Sequence, residues 1–156
     1  MSAGLTPINR KDLRNDIVNS LKLAIPSAQA VYGYLKSGFE GDSPIVRVMS
    51  AGSLRQEVGE ATGYESEFFF DLQIMVLLYE EGSDADVVAE LATDTLDQVE
   101  FEVFQWFSDH QQVQDDDGST KWKVAKWESR SAVAPYSVGT HFYLVETIPI
   151  IVEVAG

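Results

Sequence analysis

Hydrophobic positions along this chain follow two rhythms, and each rhythm predicts a different kind of element. Over residues 8–24, Leu13, Ile17, Leu21 and Ala24 recur at spacings of four, four and three, so they share one face of a helix. Lys11, Arg14 and Lys22 lie off that stripe, Thr6-Pro7 offers a start and Pro26 a stop. Residues 27–43 carry Gly33, Gly38 and Gly41 and read as turns, with room for one short strand near Val31 to Leu35. From residue 44 the period changes to two. Residues 44–58 and 65–80 read as the strands of a hairpin, and in the second Phe68, Phe70, Leu72, Ile74, Val76 and Leu78 alternate without a break. Their opposite face mixes Glu67, Asp71 and Gln73 with Phe69, Met75 and Leu77, so it is expected to be part solvated and part covered.

A helical rhythm returns over residues 84–108. Ser83 and Asp86 have capping-box spacing, and Val88, Leu91, Ala92, Thr95, Val99 and Val103 form the expected buried stripe. The other side carries Asp86, Glu90, Asp94 and Asp97 at spacings of four, four and three. Like charges so spaced destabilise a helix by about 0.2–0.5 kcal/mol per pair. A stripe kept at that cost points to a use, although so acidic a chain also produces such spacing by chance. Residues 109–119 read as a polar loop. Two strands, 120–134 and 139–154, then close the chain, separated by Pro135 and Gly139. In the last, Phe142, Leu144, Ile148, Ile150, Val152 and Val154 share a face interrupted by Glu146. The order helix, hairpin, helix, hairpin predicts one α+β domain over residues 1–156. Its simplest form is a mostly antiparallel four-stranded sheet with two helices packed on one face.

Charge changes this picture more than composition does. The hydrophobic fraction is 45% and the charged fraction 23%, ordinary values for a globular chain, but the formal net charge is −14. That balance opposes nucleic-acid binding through the whole surface. No Lys or Arg occurs between Arg55 and Lys121, an interval that holds 18 of the 25 acids. The flanks hold all 11 basic residues, so an acidic face and a mildly basic one are expected. Such polarity suits head-to-tail contacts between identical subunits, which need two different complementary surfaces, and it equally fits a well-solvated acidic domain. Cysteine is absent, which excludes disulfides and thiolate metal sites and fits a reducing compartment. The opening Met-Ser-Ala-Gly-Leu lacks the pattern of a signal peptide, and the apolar stretch at Ile148 to Val152 is too short to span a bilayer. A soluble protein made in the cytoplasm, with no membrane contact, is the expectation.

Catalytic patterns are not found. His110 and His141 sit in no metal-ligand spacing, no Gly-x-Ser-x-Gly elbow occurs, and the glycines match neither a P-loop nor a dinucleotide fingerprint. Acids are abundant, yet nothing marks one pair as a general acid and base. Asp115-Asp116-Asp117-Gly118 invites a calcium-loop reading, but that register puts Val113 and Val124 where the first and twelfth ligands should be acidic. No metal, cofactor or catalytic residue is therefore expected. The stretch Lys121-Trp122-Lys123-Val124-Ala125-Lys126-Trp127 interleaves cations and indoles as single-strand nucleic-acid binders do. Strand alternation would place Trp122 and Trp127 on opposite sides, leaving no common stacking platform. One Trp in the core and the other at a rim or subunit contact is the better reading.

Several of these segments together resemble the tail terminator proteins of long-tailed bacteriophages, the lambda-type minor tail protein family. The likeness covers most of the chain. It rests on the amphipathic opening helix ending near Pro26, the Ser-Pro-Ile-Val-Arg-Val strand at 43–48, and the long alternating strand from Phe68 to Leu78. It continues through an acidic helix after an acid-rich turn, the Asp-Asp-Asp-Gly loop leading to a Trp-containing strand, and the closing strand from Phe142 to Val154. The chain departs from the family in a longer final strand region and a larger segment between Tyr136 and Gly139.

The resemblance implies a structural virion protein at the tail–neck junction, six copies forming a ring that caps the tail tube. Such a ring ends tube polymerisation and presents a surface to the head-side neck or connector protein, while genome DNA transits its lumen without specific binding. Asp86, Glu90, Asp94 and Asp97 are then expected to face the lumen and repel phosphates. The polar hairpin tip from Gly59 to Ser66, with Gly59, Glu60, Thr62 and Tyr64, is expected to meet the tube or a neighbouring subunit, as are Lys121, Lys123 and Trp127. A neck (head-tail joining) protein of the same virion is the nearest alternative. A single-strand nucleic-acid-binding module and an acid-dependent hydrolase are the readings from other classes.

Overall fold

The computed structural model describes residues 9–36, 42–57, 64–80, 85–111, 113–114, 120–122, 124–127 and 130–155. Helix α1 (Arg10–Ala24) begins at Asn9, whose side chain accepts a hydrogen bond from the Lys11 N–H at 2.8 Å and so satisfies one orphan donor of the first turn. The start expected at Thr6-Pro7 lies outside the described residues. The helix stops as expected, with Ile25 still donating to the Leu21 carbonyl just before Pro26. Strands β1 (Ala30–Tyr32), β2 (Ile45–Glu57) and β3 (Tyr64–Glu80) follow, then helix α2 (Ala85–Asp109). The chain closes with β4 (Val113–Gln114), β5 (Thr120–Trp122), β6 (Val124–Trp127), β7 (Ala132–Val138) and β8 (His141–Ala155). The capping box expected at Ser83 lies outside the described residues.

The α+β class holds, but the sheet is larger and mixed. Its order is β1-β2-β3-β8-β6, with β7 also paired to β8, and β1 runs parallel to β2. β4 and β5 form a separate two-stranded ribbon. The strand expected over 120–134 is thus broken into β5, β6 and the start of β7, and Pro135 lies inside β7 rather than between strands. Among the described residues β7 pairs only with β8, the kind of edge position in which proline is tolerated. β2 carries a bulge between Ser50 and Gly52, where Gly52 has φ 137°, a backbone region that L side chains rarely adopt.

Period-two alternation decides which face is covered. Phe68, Phe70, Leu72 and Ile74 of β3 join Val46 and Val48 of β2 and Ile148, Ile150 and Val152 of β8 in one core cluster. Leu13, Ile17 and Leu21 of α1 and Leu96, Val99, Val103 and Trp106 of α2 close it from above. Full burial of each such side chain stabilises the fold by roughly 1.5–3 kcal/mol. Two expected core positions are not buried, since Leu91 is 67% exposed and Thr95 only partly covered, and the side chain of Val88 lies outside the described residues. The buried arc of α2 runs through Ala92, Leu96, Val99, Val103 and Trp106, and Leu91 falls about 100° away from Ala92 around the helix. On the other face of the sheet a smaller cluster forms from Ile45, Met75, Tyr143 and Val145, with Tyr32 packed against it. The chain entering β2 covers part of that cluster: Ser43 Oγ accepts from the Leu77 N–H at 2.8 Å, and the Tyr143 hydroxyl donates to the Asp42 carbonyl at 3.4 Å.

Candidate assembly surfaces

Helix α2 turns a mixed acidic and aromatic stripe to solvent. Its 25 residues contain no Lys or Arg. Glu90, Asp94 and Asp97 are all exposed, as the stripe of acids requires, while Asp86 lies in the first turn with its side chain outside the described residues. The stripe does not end at Asp97. Phe101 and Phe104 continue it at spacings of four and three, and they are 50% and 53% exposed. Two large aromatics in water on one helix face are a common mark of a contact surface. Continuing the acidic periodicity by two steps would have found them from sequence.

Helix α1 carries the opposite chemistry. Arg14, Val18 and Lys22 lie one helical turn apart, with Asn15 and Asn19 beside them, and together they face Val31, Tyr32, Gly33 and Tyr34 across a groove of about 480 Å³. No acid lines it. Gly33 lets the walls approach: a Cβ there would stand 3.2 Å from Val18 Cγ2 and 3.7 Å from Arg14 Nε. The Arg14 guanidinium is held at one corner, donating through Nη1 to Ser50 Oγ at 2.8 Å. Its Nε–H is buried with no hydrogen-bond partner among the described residues. The Tyr32 and Tyr34 rings meet edge to face at 5.8 Å, and Lys36 Nζ lies 5.4 Å over the Tyr32 ring. Nothing local in the sequence places β1 beside α1, so this groove was not legible there.

Among the described residues, the other buried polar side chains have hydrogen-bond partners. On the sheet face away from the helices, Arg47 Nε donates to Gln73 Oε1 at 2.7 Å, and Gln73 Nε2 donates to Thr147 Oγ1 at 3.0 Å. Arg47 Nη1 also reaches the Lys36 carbonyl at 2.8 Å. Burial pushes the Arg47 guanidinium below its ordinary range, and the Tyr136 phenol acts in the opposite sense. On the helix side, Glu146 is 7% exposed and accepts from the Ser131 hydroxyl at 2.6 Å. The Glu100 carboxyl is raised above its usual range, first by burial, then by the negative charges of Glu146 and Asp97. Among the described residues no group of three or more His, Cys, Asp or Glu is placed to hold a metal ion, and no helix is long and apolar enough to cross a membrane.

The remaining expected residues scatter. His110 stacks on Trp106 at 4.9 Å, and its Nδ1 lies 2.9 Å from the Trp106 carbonyl, a structural placement. His141 opens β8 opposite Glu80. Trp127 is half-buried against the core, its ring 6.4 Å from that of Phe107. Trp122 falls in the separate ribbon with its side chain outside the described residues, so the two indoles belong to different sheets. Lys126 pairs with Glu153 across β6 and β8 at 3.6 Å. Tyr64 opens β3 opposite Glu57 and Lys121 lies in β5, with both side chains outside the described residues. Gly59, Glu60, Thr62, Lys123 and the calcium-like loop at 115–118 also lie outside them. No protein-family model matches the chain, and no curated protein matches it either.

Proposed function

We propose that this chain is a non-catalytic structural virion protein that forms a ring, of six copies as the resemblance implies, on the end of a phage tail tube. The ring ends tube polymerisation, offers its other side to the head-side neck or connector protein, and lets genome DNA pass through its lumen. It acts at the tail–neck junction of the virion, assembled from subunits made in the host cytoplasm.

The observation that supports assembly best is the division of charge between the two helices. α1 carries Arg10, Lys11, Arg14 and Lys22 against Asp12 and Asp16, a net of +2, whereas α2 carries seven acids and no cation. Two unlike surfaces on one subunit favour heterologous contacts, which close into rings when the rotation between neighbours permits. Exposed Phe101 and Phe104 add the apolar component that a stable contact needs. The tail-tube assignment comes from the resemblance in the opening helix, the 43–48 strand, the long alternating strand and the closing strand.

Light scattering of the purified protein, alone and after mixing with tail tubes, tests this reading. Closed rings in solution, or rings on tube ends in electron micrographs, are the expected result. A strict monomer that leaves tube ends bare and tube growth unchanged would sink it.

A further inference from the structure

We propose that the groove between α1 and β1 is the receptor for the acidic and aromatic outer face of α2 on a second copy of this chain. The inference rests on the ring reading above and names the two surfaces that meet in it.

Charge complementarity carries the argument. In a chain of net charge −14, the described residues lining the groove include Arg14 and Lys22 and no acid. Asn15, Asn19, Tyr32 and Tyr34 add further hydrogen-bond donors around it. Its natural occupant is an acidic surface with more than one carboxylate. Arg14 and Lys22 are eight residues apart, about 12 Å along α1. Glu90 and Asp97 are seven apart, about 10.5 Å along α2, so two carboxylates of the stripe match the reach of the two cations. Arg14 makes one hydrogen bond among the described residues, to Ser50, and a carboxylate can take charge-assisted bonds from the remaining Nη hydrogens. Beside the groove, Tyr34 and Leu35 are 58% and 67% exposed and supply apolar partners for Phe101 and Phe104.

Geometry makes the contact intermolecular. Ser20 and Ser27 bind Trp106 and Glu102, so the α2-facing side of α1 is already used within the chain. The groove lies on the other flank of α1, toward β1, and cannot receive its own α2. Each copy therefore offers one groove and one stripe, the requirement for a head-to-tail ring. This takes the acidic stripe out of the lumen, where the resemblance led one to expect it. Phe101 and Phe104 continue the same stripe and would stand in water there.

Because the chain has no cysteine, a pair of introduced thiols reports the contact directly. Asn19→Cys and Asp97→Cys are made as separate proteins, mixed and oxidised with oxidised glutathione, with Ser53→Cys as an exposed control. A disulfide needs Cα atoms within about 7 Å. The neighbouring Ser20 bonds to Trp106, nine residues and about 13.5 Å along α2 from Asp97, so a link within one chain is out of reach. The expected result is a covalent Asn19→Cys/Asp97→Cys dimer at least ten times more abundant than any pairing with the control. Lys22→Glu and Asp97→Lys should each weaken association at least tenfold, and mixing the two should restore it at the reversed contact. Rings without that cross-link, and indifferent to both charge reversals, overturn this contact and leave the ring reading standing. Failure to form rings or to cap tubes in the unmodified protein overturns both. Salt-sensitive binding of a DNA oligonucleotide, abolished by Lys22→Glu while association is unchanged, also overturns it and assigns the groove to phosphate.

Discussion

Glu102 on α2 holds both hydrogen-bond donors of Ser27 at once, accepting from its hydroxyl at 2.6 Å and from its backbone N–H at 3.1 Å. Gln98 adds a third bond from the next helical turn at 2.9 Å. Glu102 is only 8% exposed, and these donors satisfy its charge where water is scarce. The bonded turn follows Pro26 and leads into β1, so this clamp sets where β1 stands relative to α1 and thereby shapes the basic groove.

Glu102→Ala should therefore lower stability by about 2–3 kcal/mol, because it strands the Ser27 N–H as well as removing the bonds. In a chain of this size that is a fall in Tm of roughly 4–12 °C, read by circular dichroism. Glu102→Gln keeps one acceptor and should lose about half as much. Equal Tm values for the alanine variant and the parent would show that the clamp is dispensable.

A second prediction concerns the polar line across the outer sheet face. Arg47, Gln73 and Thr147 occupy one row of paired residues on β2, β3 and β8, so a single side chain bonds both neighbours. Gln73→Leu keeps nearly the same volume but removes an acceptor from a buried guanidinium. A loss of about 2–3 kcal/mol in urea unfolding is expected. Thr147→Val, which removes only the neutral end of the line, should cost less than half of that.

Gly52 gives a test of conformation alone. Its φ of 137° sits at the β2 bulge, and a Cβ there would meet nothing within 4 Å. Gly52→Ala should thus destabilise by about 1–3 kcal/mol through backbone strain, with no clash to relieve. Gly33→Ala is the complementary case, with ordinary backbone but a 3.2 Å contact to Val18. If Gly52→Ala proves the milder of the two in thermal melts, strain at the bulge is smaller than its backbone geometry implies.

The periodic parts of this fold were readable because their signals are local. Phe68 to Leu78 alternate for the same reason that they pair with β2 and β8, and α1 buries Leu13, Ile17 and Leu21 as its spacing requires. What could not be read depends on distant partners. The short strand expected near Val31 to Leu35 appears as β1, but its parallel pairing with Ile45–Arg47 needs a crossover that leaves no periodic trace, so its place in the sheet and the groove it walls could not be read. Leu91 failed because apolar identity was allowed to outweigh its angle on the helix. The break after Trp122 failed for a third reason: two strands in different sheets can look like one continuous alternation. Of the candidate surfaces, the acidic half of the α2 stripe was legible and its aromatic half was overlooked.

Glu100 supplies the last prediction, a dependence of stability on pH. Burial, and then the charges of Glu146 and Asp97, raise its carboxyl above the ordinary range in the folded protein. An unfolded chain has Glu near its reference value of about 4.3. Between that value and the raised one the native state binds more protons than the unfolded state, so stability falls as pH increases through the window. Below about pH 4 the group is protonated in both states and contributes nothing to the slope. Glu100→Gln stays neutral throughout and should melt higher than the parent at pH 7, with the difference vanishing as the pH is lowered to 4. Because Glu100 is only partly buried, screening limits the gain to about 1 kcal/mol or less, a rise of roughly 1–4 °C. Parallel melting curves at pH 4 and pH 7, with no change in the gap, would mean that the three carboxyls do not interact as their positions require.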